Sequence, residues 1–266
     1  MPLFSARDNH SKYKGMLMAG GDATACLVII GNEILSGRTQ DANLAFLARE
    51  LGELGIRMRE ARVVPDEEEA VVEAVNAARA RYTYVFTTGG IGPTHDDITA
   101  ACIAKAFGVP LTRHPEAEQR LLAYYPPEKV NAARMRMADT PEGAELIDNP
   151  VSVAPGFRIG NVHVLPGVPS IMRAMFEGLR AGLQGGAPVV SRTITLYSPE
   201  GEIAAPLAEI QARHAEVEIG SYPFMRQGRF GTSIVFRSAD QGRIDAAAVE
   251  LLAFASGRAI DVEEIY

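Results

Sequence analysis

Thr87-Thr88-Gly89-Gly90-Ile91-Gly92-Pro93-Thr94-His95-Asp96-Asp97-Ile98-Thr99 is the stretch that decides the fold. Before it, Tyr82 to Phe86 is a short β-branched and aromatic run; after it, Ile98 to Phe107 is apolar-rich and loaded with alanine. The order is strand, glycine loop, helix. In an open parallel sheet such a loop lies at the carboxyl ends of the strands, where ligands collect. The N–H groups at the helix start favour an anion there, phosphate or pyrophosphate.

Two common phosphate loops are excluded by missing parts. A Walker loop needs a Lys-Ser/Thr pair after its last glycine, and here Pro93-Thr94-His95 follows. The dinucleotide fingerprint G-x-G-x-x-G fails because Asp96 stands where its last glycine belongs. The loop offers paired carboxylates and hydroxyls instead, which suit a divalent cation or the orientation of a water. The same spacing has a structural reading: Thr94 and Asp97 form the pattern of a capping box, with Asp97 reaching back to the Thr94 N–H. His95 alone reads as a solvated loop residue.

The 266 residues are 47% hydrophobic and 22% charged, the composition of a globular protein with an ample core. A net charge of −7 gives no general attraction to nucleic acid or anionic lipid, so an anion must be captured locally. The two cysteines, Cys26 in an expected strand and Cys102 in an expected helix, lack zinc spacing and read as buried free thiols of a reducing cytoplasm. No apolar run is long enough for a membrane span. Residues 1–22 lack the apolar centre of a signal peptide and read as a flexible arm, with Met16 or Met18 as alternative starts.

Along the chain, Thr24 to Ile30 is a continuous apolar run, a strand buried on both faces. It ends in a second polar loop, Gly31-Asn32-Glu33-Ile34-Leu35-Ser36-Gly37, followed by a helix opening at Asp41 with Leu44, Leu47, Leu51 and Leu54 on one stripe. If the two strands are parallel neighbours, Glu33 and Asn43 share a sheet edge with Asp96 and Asp97. Ile56 to Val64 reads as a strand with one polar face or an edge position. Pro65-Asp66 then starts a helix whose acidic first turn, Glu67-Glu68-Glu69, suits the helix dipole.

Helices are expected over Pro115 to Tyr125 and Asn131 to Met137. A short strand follows at Leu146-Ile147, then a hairpin from Ala154 to Ile159 and Val162 to Leu165 around Gly160-Asn161. The second arm runs into a third loop, Leu165-Pro166-Gly167-Val168-Pro169-Ser170, and a helix with Ile171, Met175 and Leu179 on one side. Gln184 to Pro188 reads as a linker. Beyond it a βαββα order closes into a small α+β layer, where Tyr222, Phe224 and Arg226 read as hairpin surface or as contacts to a base.

The three loops together, in this order, resemble the amino-terminal half of CinA proteins, within the wider MoaB/MogA molybdopterin-binding fold. The likeness covers about residues 24 to 184, and the trailing domain is similar to the segment that follows in CinA. It implies a three-layer αβα domain over residues 23–184 and a small α+β domain over 188–266. By the same resemblance Asp97 matches the loop aspartate of both branches of the fold, whereas Asp96 and Gly31-Asn32-Glu33 match the CinA-like form. That branch resembles metal-dependent pyrophosphohydrolases of ADP-ribose or FAD type; the MogA-like branch adenylylates molybdopterin, and a silent pterin- or nucleotide-binding module is a third reading.

Carried onto this chain, the resemblance makes Asp97, Asp96 and Glu33 the catalytic and Mg²⁺-holding carboxylates. Gly31, Asn32, Gly89, Gly90, Gly92, Thr94, Thr99, Pro166, Gly167 and Ser170 become substrate- or phosphate-binding. It also implies a small-molecule nucleotide or pterin as partner, and a homo-oligomer. The sequence stops after the small domain, so the deamidase that follows in full-length CinA, and its activity, are not carried over. Nor is the flavin-synthase domain of some eukaryotic relatives.

Overall fold

A computed structural model describes residues 23–226 and 228–265; the arm expected over residues 1–22 lies outside the described residues. The chain divides into two compact units, one ending at Gly186 and the other beginning at Ala187.

In the first unit, β1 (Ala23–Ile30) leads through a single helical turn, α1 (Asn32–Leu35), to α2 (Asn43–Glu53) and β2 (Ile56–Val64). Next come α3 (Glu68–Arg81), β3 (Tyr84–Thr88) and α4 (Thr99–Phe107). A short ladder of β4 (Leu111–Arg113) and β5 (Asp139–Pro141) encloses α5 (Pro115–Tyr124) and α6 (Ala132–Met135). Three strands, β6 (Glu145–Ile147), β7 (Gly156–Ile159) and β8 (Val162–Leu165), precede α7 (Pro169–Arg180). The main sheet has the order β2-β1-β3-β8-β7-β6. β1 is parallel to both β2 and β3, and β3 is parallel to β8.

The apolar run of β1 is explained by its two partners. Cys26, Val28 and Ile30 pack with Val71 and Val75 of α3 and Ile103 of α4. Ala25, Leu27 and Ile29 on the other face pack with Leu47 and Leu51 of α2 and Met172 and Phe176 of α7. A fully buried side chain of this size contributes about 1.5–3 kcal/mol, so these two clusters hold the three layers together. Among the described residues β2 has a neighbour on one side only, and its second half alternates between the exposed Arg59, Ala61 and Val63 and the half-buried Glu60, Arg62 and Val64. The segment expected as one helix from Asn131 is a turn of α-helix and a 3₁₀ turn over Arg136–Ala138, with the Asn131 side chain accepting from the Arg134 N–H.

The expected capping box is half present. Asp97 does accept from the Thr94 N–H at 2.7 Å, but α4 begins only at Thr99, so the pair closes an exposed turn and not the helix. The linker is also shorter than its sequence implies. The Tyr84 hydroxyl accepts from the Gln184 N–H, and the Gly186 N–H donates to the Gly55 carbonyl, both within the first unit.

The second unit is β9 (Val190–Leu196), α8 (Glu200–Arg213), β10 (Glu218–Arg226), β11 (Arg229–Ser238), α9 (Gln241–Gly257) and β12 (Val262–Ile265), with sheet order β10-β11-β9-β12. Ile194, Leu196, Ile234 and Phe236 form its core with Ile203, Leu207, Ile244 and Leu251 of the helices. The terminal strand extends the expected βαββα to βαββαβ. No helix among the described residues is long and apolar enough to cross a membrane.

One buried titratable group bears on stability. His163 in β8 stacks on Phe86 at 5.1 Å between ring centroids, and its Nδ1 has no hydrogen-bond partner among the described residues. Burial, reinforced by Arg158, pushes its pKa down to about 4. The unfolded chain therefore binds the proton more readily, and stability falls as pH drops from about 6.5 towards 4, by up to about 3 kcal/mol. Urea unfolding at pH 7 and pH 4.5 is expected to show this loss in the wild type and a shallower slope in His163→Phe. Equal slopes would place the pH dependence elsewhere.

Candidate functional site

Because β1, β3 and β8 are parallel neighbours, their carboxyl ends Ile30, Thr88 and Leu165 lie along one edge. The chain leaving β3 must pass between the other two. Gly89 does so with φ +104°, and a Cβ there would stand 2.1 Å from the Ile30 carbonyl oxygen. On its other side a Cβ at Gly167 would lie 3.4 Å from the Gly89 Cα. The Gly89 N–H donates to the Leu165 carbonyl at 3.2 Å, so the amide expected to bind phosphate is already engaged. The Gly31 N–H is likewise engaged, by the Val64 carbonyl.

Thr99 is fully buried and serves the loop's shape. Its hydroxyl donates to the Gly89 carbonyl at 2.9 Å and its N–H to the Gly90 carbonyl at 3.0 Å. Between these two anchored ends, the N–H groups of Gly90, Ile91 and Gly92 have no hydrogen-bond partner among the described residues. Successive unpaired amides form an anion-binding concavity, here at the N-terminal side of a helix.

The second and third loops face each other across a small cleft of about 50 Å³ lined by Glu33, Asp41, Asn43, Thr88, Gly167 and Pro169 with Ile29, Ile30 and Ile34 behind. Asn43 is buried at the start of α2 and its Nδ2 donates to the Gly167 carbonyl at 2.9 Å, tying the two loops together. Its Oδ1 and the Thr88 Oγ1 are buried without a partner among the described residues. Orphaned polar atoms are costly and mark places where a ligand group or water completes the bonding. Asn32 is exposed and its N–H donates to Asp66, while Ser170 is exposed in the first turn of α7.

The three carboxylates expected to hold a metal are not gathered. Glu33 folds over Gly31, where a Cβ would stand 2.5 Å from its Oε2, and it lines the cleft. Neither aspartate lines that cleft. Asp97 turns inward and accepts from both the Thr94 N–H and, at 2.6 Å, the Thr94 hydroxyl. Asp96 points to solvent beside exposed His95. It is held below the usual carboxylate range, first by the Thr94 side chain and then by its own backbone amide. The Thr94 hydroxyl donates its one proton to Asp97 in this geometry.

Among the described residues no group of three or more His, Cys, Asp and Glu side chains could hold a metal ion. The donor set thus does not fit a three-carboxylate cage. It fits the looser mode of Mg²⁺, which keeps most of its water and takes one or two carboxylates plus substrate phosphates. Asp96 is the solvent-facing carboxylate of the loop, with Asp97 next to it in the chain.

One more side chain reaches the loop, and the sequence carries no mark of it. Arg136 donates from Nη2 to the Pro93 carbonyl at 2.7 Å and to the Thr94 carbonyl at 3.3 Å.

A three-layer domain with glycine loops at the carboxyl edge of a parallel sheet is the class defined here, and comparison with known proteins makes it specific. Residues 26–183 match the family described as probable molybdopterin binding domain, and residues 188–264 match the middle domain of FAD synthase. The chain belongs to the molybdopterin-binding-domain family of MoaB/MogA type, and within it the chain is CinA-like. The structure of the protein CinA of unknown function from Thermoplasma acidophilum aligns with a TM-score of 0.58 at 33% identity, over 60% of this chain and 98% of that one. A protein of Aeropyrum pernix is 39% identical over 75% of this chain and 78% of its own length. The probable FAD synthase of Caenorhabditis briggsae is 32% identical over 87% of this chain, which spans 49% of that relative.

The packing at Gly89 is testable against a glycine with the same handedness and no neighbours. Gly37 has φ +72° and nothing within 4 Å of an added Cβ. Gly37→Ala is expected to cost about 1 kcal/mol, from backbone strain alone. Gly89→Ala adds a collision with backbone and is expected to cost more than about 3 kcal/mol by urea unfolding. Equal losses would show that the three strand ends are not held as tightly as the distances imply.

Proposed function

We propose that this chain hydrolyses the pyrophosphate bond of a nucleotide diphosphate of ADP-ribose or FAD type. The observation that carries the reading is the run of unpaired amides at Gly90, Ile91 and Gly92 beside the solvent-facing carboxylate of Asp96. Fixed N–H donors favour charge on phosphate oxygens without having to reorganise as the bond breaks. The neighbouring cleft, with the unpaired Asn43 Oδ1 and Thr88 Oγ1, is the place for the polar remainder of the nucleotide.

The residues divide the work as follows in this reading. Asp97 fixes the turn through Thr94, and Asp96 is presented by that turn. A carboxylate held ionised is a weak base, so Asp96 orients the attacking water or a hydrated cation and does not abstract a proton at neutral pH. Glu33, at the cleft wall, is the second carboxylate available to a water. A divalent ion, when bound, neutralises the bridging pyrophosphate. The FAD synthase relative and the match of the small unit to that enzyme's middle domain make flavin nucleotides the substrates to try beside ADP-ribose.

The family's description favours a second reading, binding of a molybdopterin. In that case a pterin copurifies, and AMP is transferred to it from ATP in place of hydrolysis.

The test is product analysis with ADP-ribose, FAD and related dinucleotides in Mg²⁺, Mn²⁺ or Co²⁺. The wild type is expected to release AMP, and Asp96→Asn to turn over at least about a hundredfold more slowly with unchanged thermal stability. Asp97→Asn, whose amide oxygen can still accept from Thr94, is expected to melt within a few degrees of the wild type while losing turnover, because the second negative charge beside Asp96 is gone. Absence of AMP from every substrate and metal would reject the hydrolase.

A further inference from the structure

The geometry points to Arg136 as a phosphate-binding residue of this site, with its guanidinium pinned at the tip of the glycine loop so that the unused N–H groups meet the substrate's pyrophosphate. This rests on the reading that the loop binds a nucleotide diphosphate.

Arg136 stands at the start of the 3₁₀ turn after α6. Its flanks are fixed: Met135 and Ala138 are buried in a small core with Ala117 and Leu121. From there the side chain reaches back 42 and 43 residues to the Thr94 and Pro93 carbonyls. Among the described residues it is the group outside the loop that hydrogen-bonds the tip at 92–96.

The partners it has chosen are informative. The neutral carbonyls orient the guanidinium without cancelling its charge, and both bonds use Nη2. Among the described residues Nε and Nη1 have no hydrogen-bond partner and Arg136 forms no ion pair, although two aspartates follow in the same loop. Arg113, Arg120 and Arg180, by contrast, each bridge two carboxylates. An oriented, exposed and unneutralised guanidinium beside unpaired amides is suited to bidentate phosphate recognition. A tether alone would not need the charge. A neutral amide donor could hold the same carbonyls.

That difference supplies the experiment. Arg136→Gln can keep a hydrogen bond to the loop but removes the charge, whereas Arg136→Lys keeps the charge and loses the planar fork. On the full chain we would measure KM and kcat for ADP-ribose, and the Kd of inorganic pyrophosphate by calorimetry at two salt concentrations. Arg136→Gln is expected to raise KM and the pyrophosphate Kd about tenfold or more, to weaken the salt dependence of binding, and to change kcat less. Arg136→Lys is expected to recover part of the affinity.

Wild-type KM and Kd in Arg136→Gln would overturn the assignment while leaving the hydrolase standing. A wild type that binds pyrophosphate without turnover would sink the hydrolase, and the Kd comparison would still decide the role of Arg136. A wild type that binds no pyrophosphate overturns both. If Arg136→Gln does not fold, modification of the wild type by phenylglyoxal decides: protection of Arg136 by pyrophosphate supports the role, and modification at the unprotected rate overturns it.

Discussion

The contact between the Gly89 backbone and the Ile30 carbonyl governs the geometry of the site. β3 is the middle of three parallel strands, so the chain leaving it is crowded from both sides, by Ile30 and by Gly167. Any side chain at Gly89 would collide with main chain, which cannot move without unpairing the sheet. With that passage open, the Gly89 amide closes on Leu165, Thr99 closes on the two glycine carbonyls, and Asn43 closes the third loop onto α2. The first backbone donors not consumed by this packing are those of residues 90–92. The run of unpaired amides in the loop thus follows from how the sheet ends.

This explains which parts of the chain were legible. β1 and β2 were readable because one is apolar throughout and the other alternates, and burial on two faces or one writes those patterns directly. The placement of Glu33 and Asp96 along one edge followed from strand, loop, helix order repeated in parallel. The short strands β4, β5 and β12 left little trace, since three or four residues with polar or exposed members carry no period. The helix expected over Ile98 to Phe107 begins at Thr99, and the capping-box reading of Thr94 and Asp97 fails because the pair satisfies the local geometry of a cap while a turn intervenes before the helix.

The three carboxylates of the expected metal set lie apart for a different reason. Sequence placed three carboxylates at one edge, and that is a statement about Cα positions. Their side chains then diverge: Glu33 lies over Gly31 because the absence of a Cβ leaves it room, and Asp97 turns to Thr94 because two donors there are stronger partners than water. Arg136 is the converse case. Nothing near it in sequence marks a ligand, since its importance comes from tertiary reach across 42 residues to the loop.

The site therefore combines a rigid backbone with mobile charge. Its amides are fixed by contacts that tolerate no displacement, while Asp96, Glu33 and Arg136 are exposed and separately hydrated. Charges in water attract weakly, about 1 kcal/mol at 4 Å, and the same pair becomes several times stronger once solvent is displaced. A nucleotide whose phosphates seat on the amides would itself exclude that solvent. On the proposed reading the arrangement would place the strongest electrostatics in the bound state, and it leaves the free protein without a buried unpaired charge among the described residues of this edge, which is how a stable fold can keep a loop of unpaired amides.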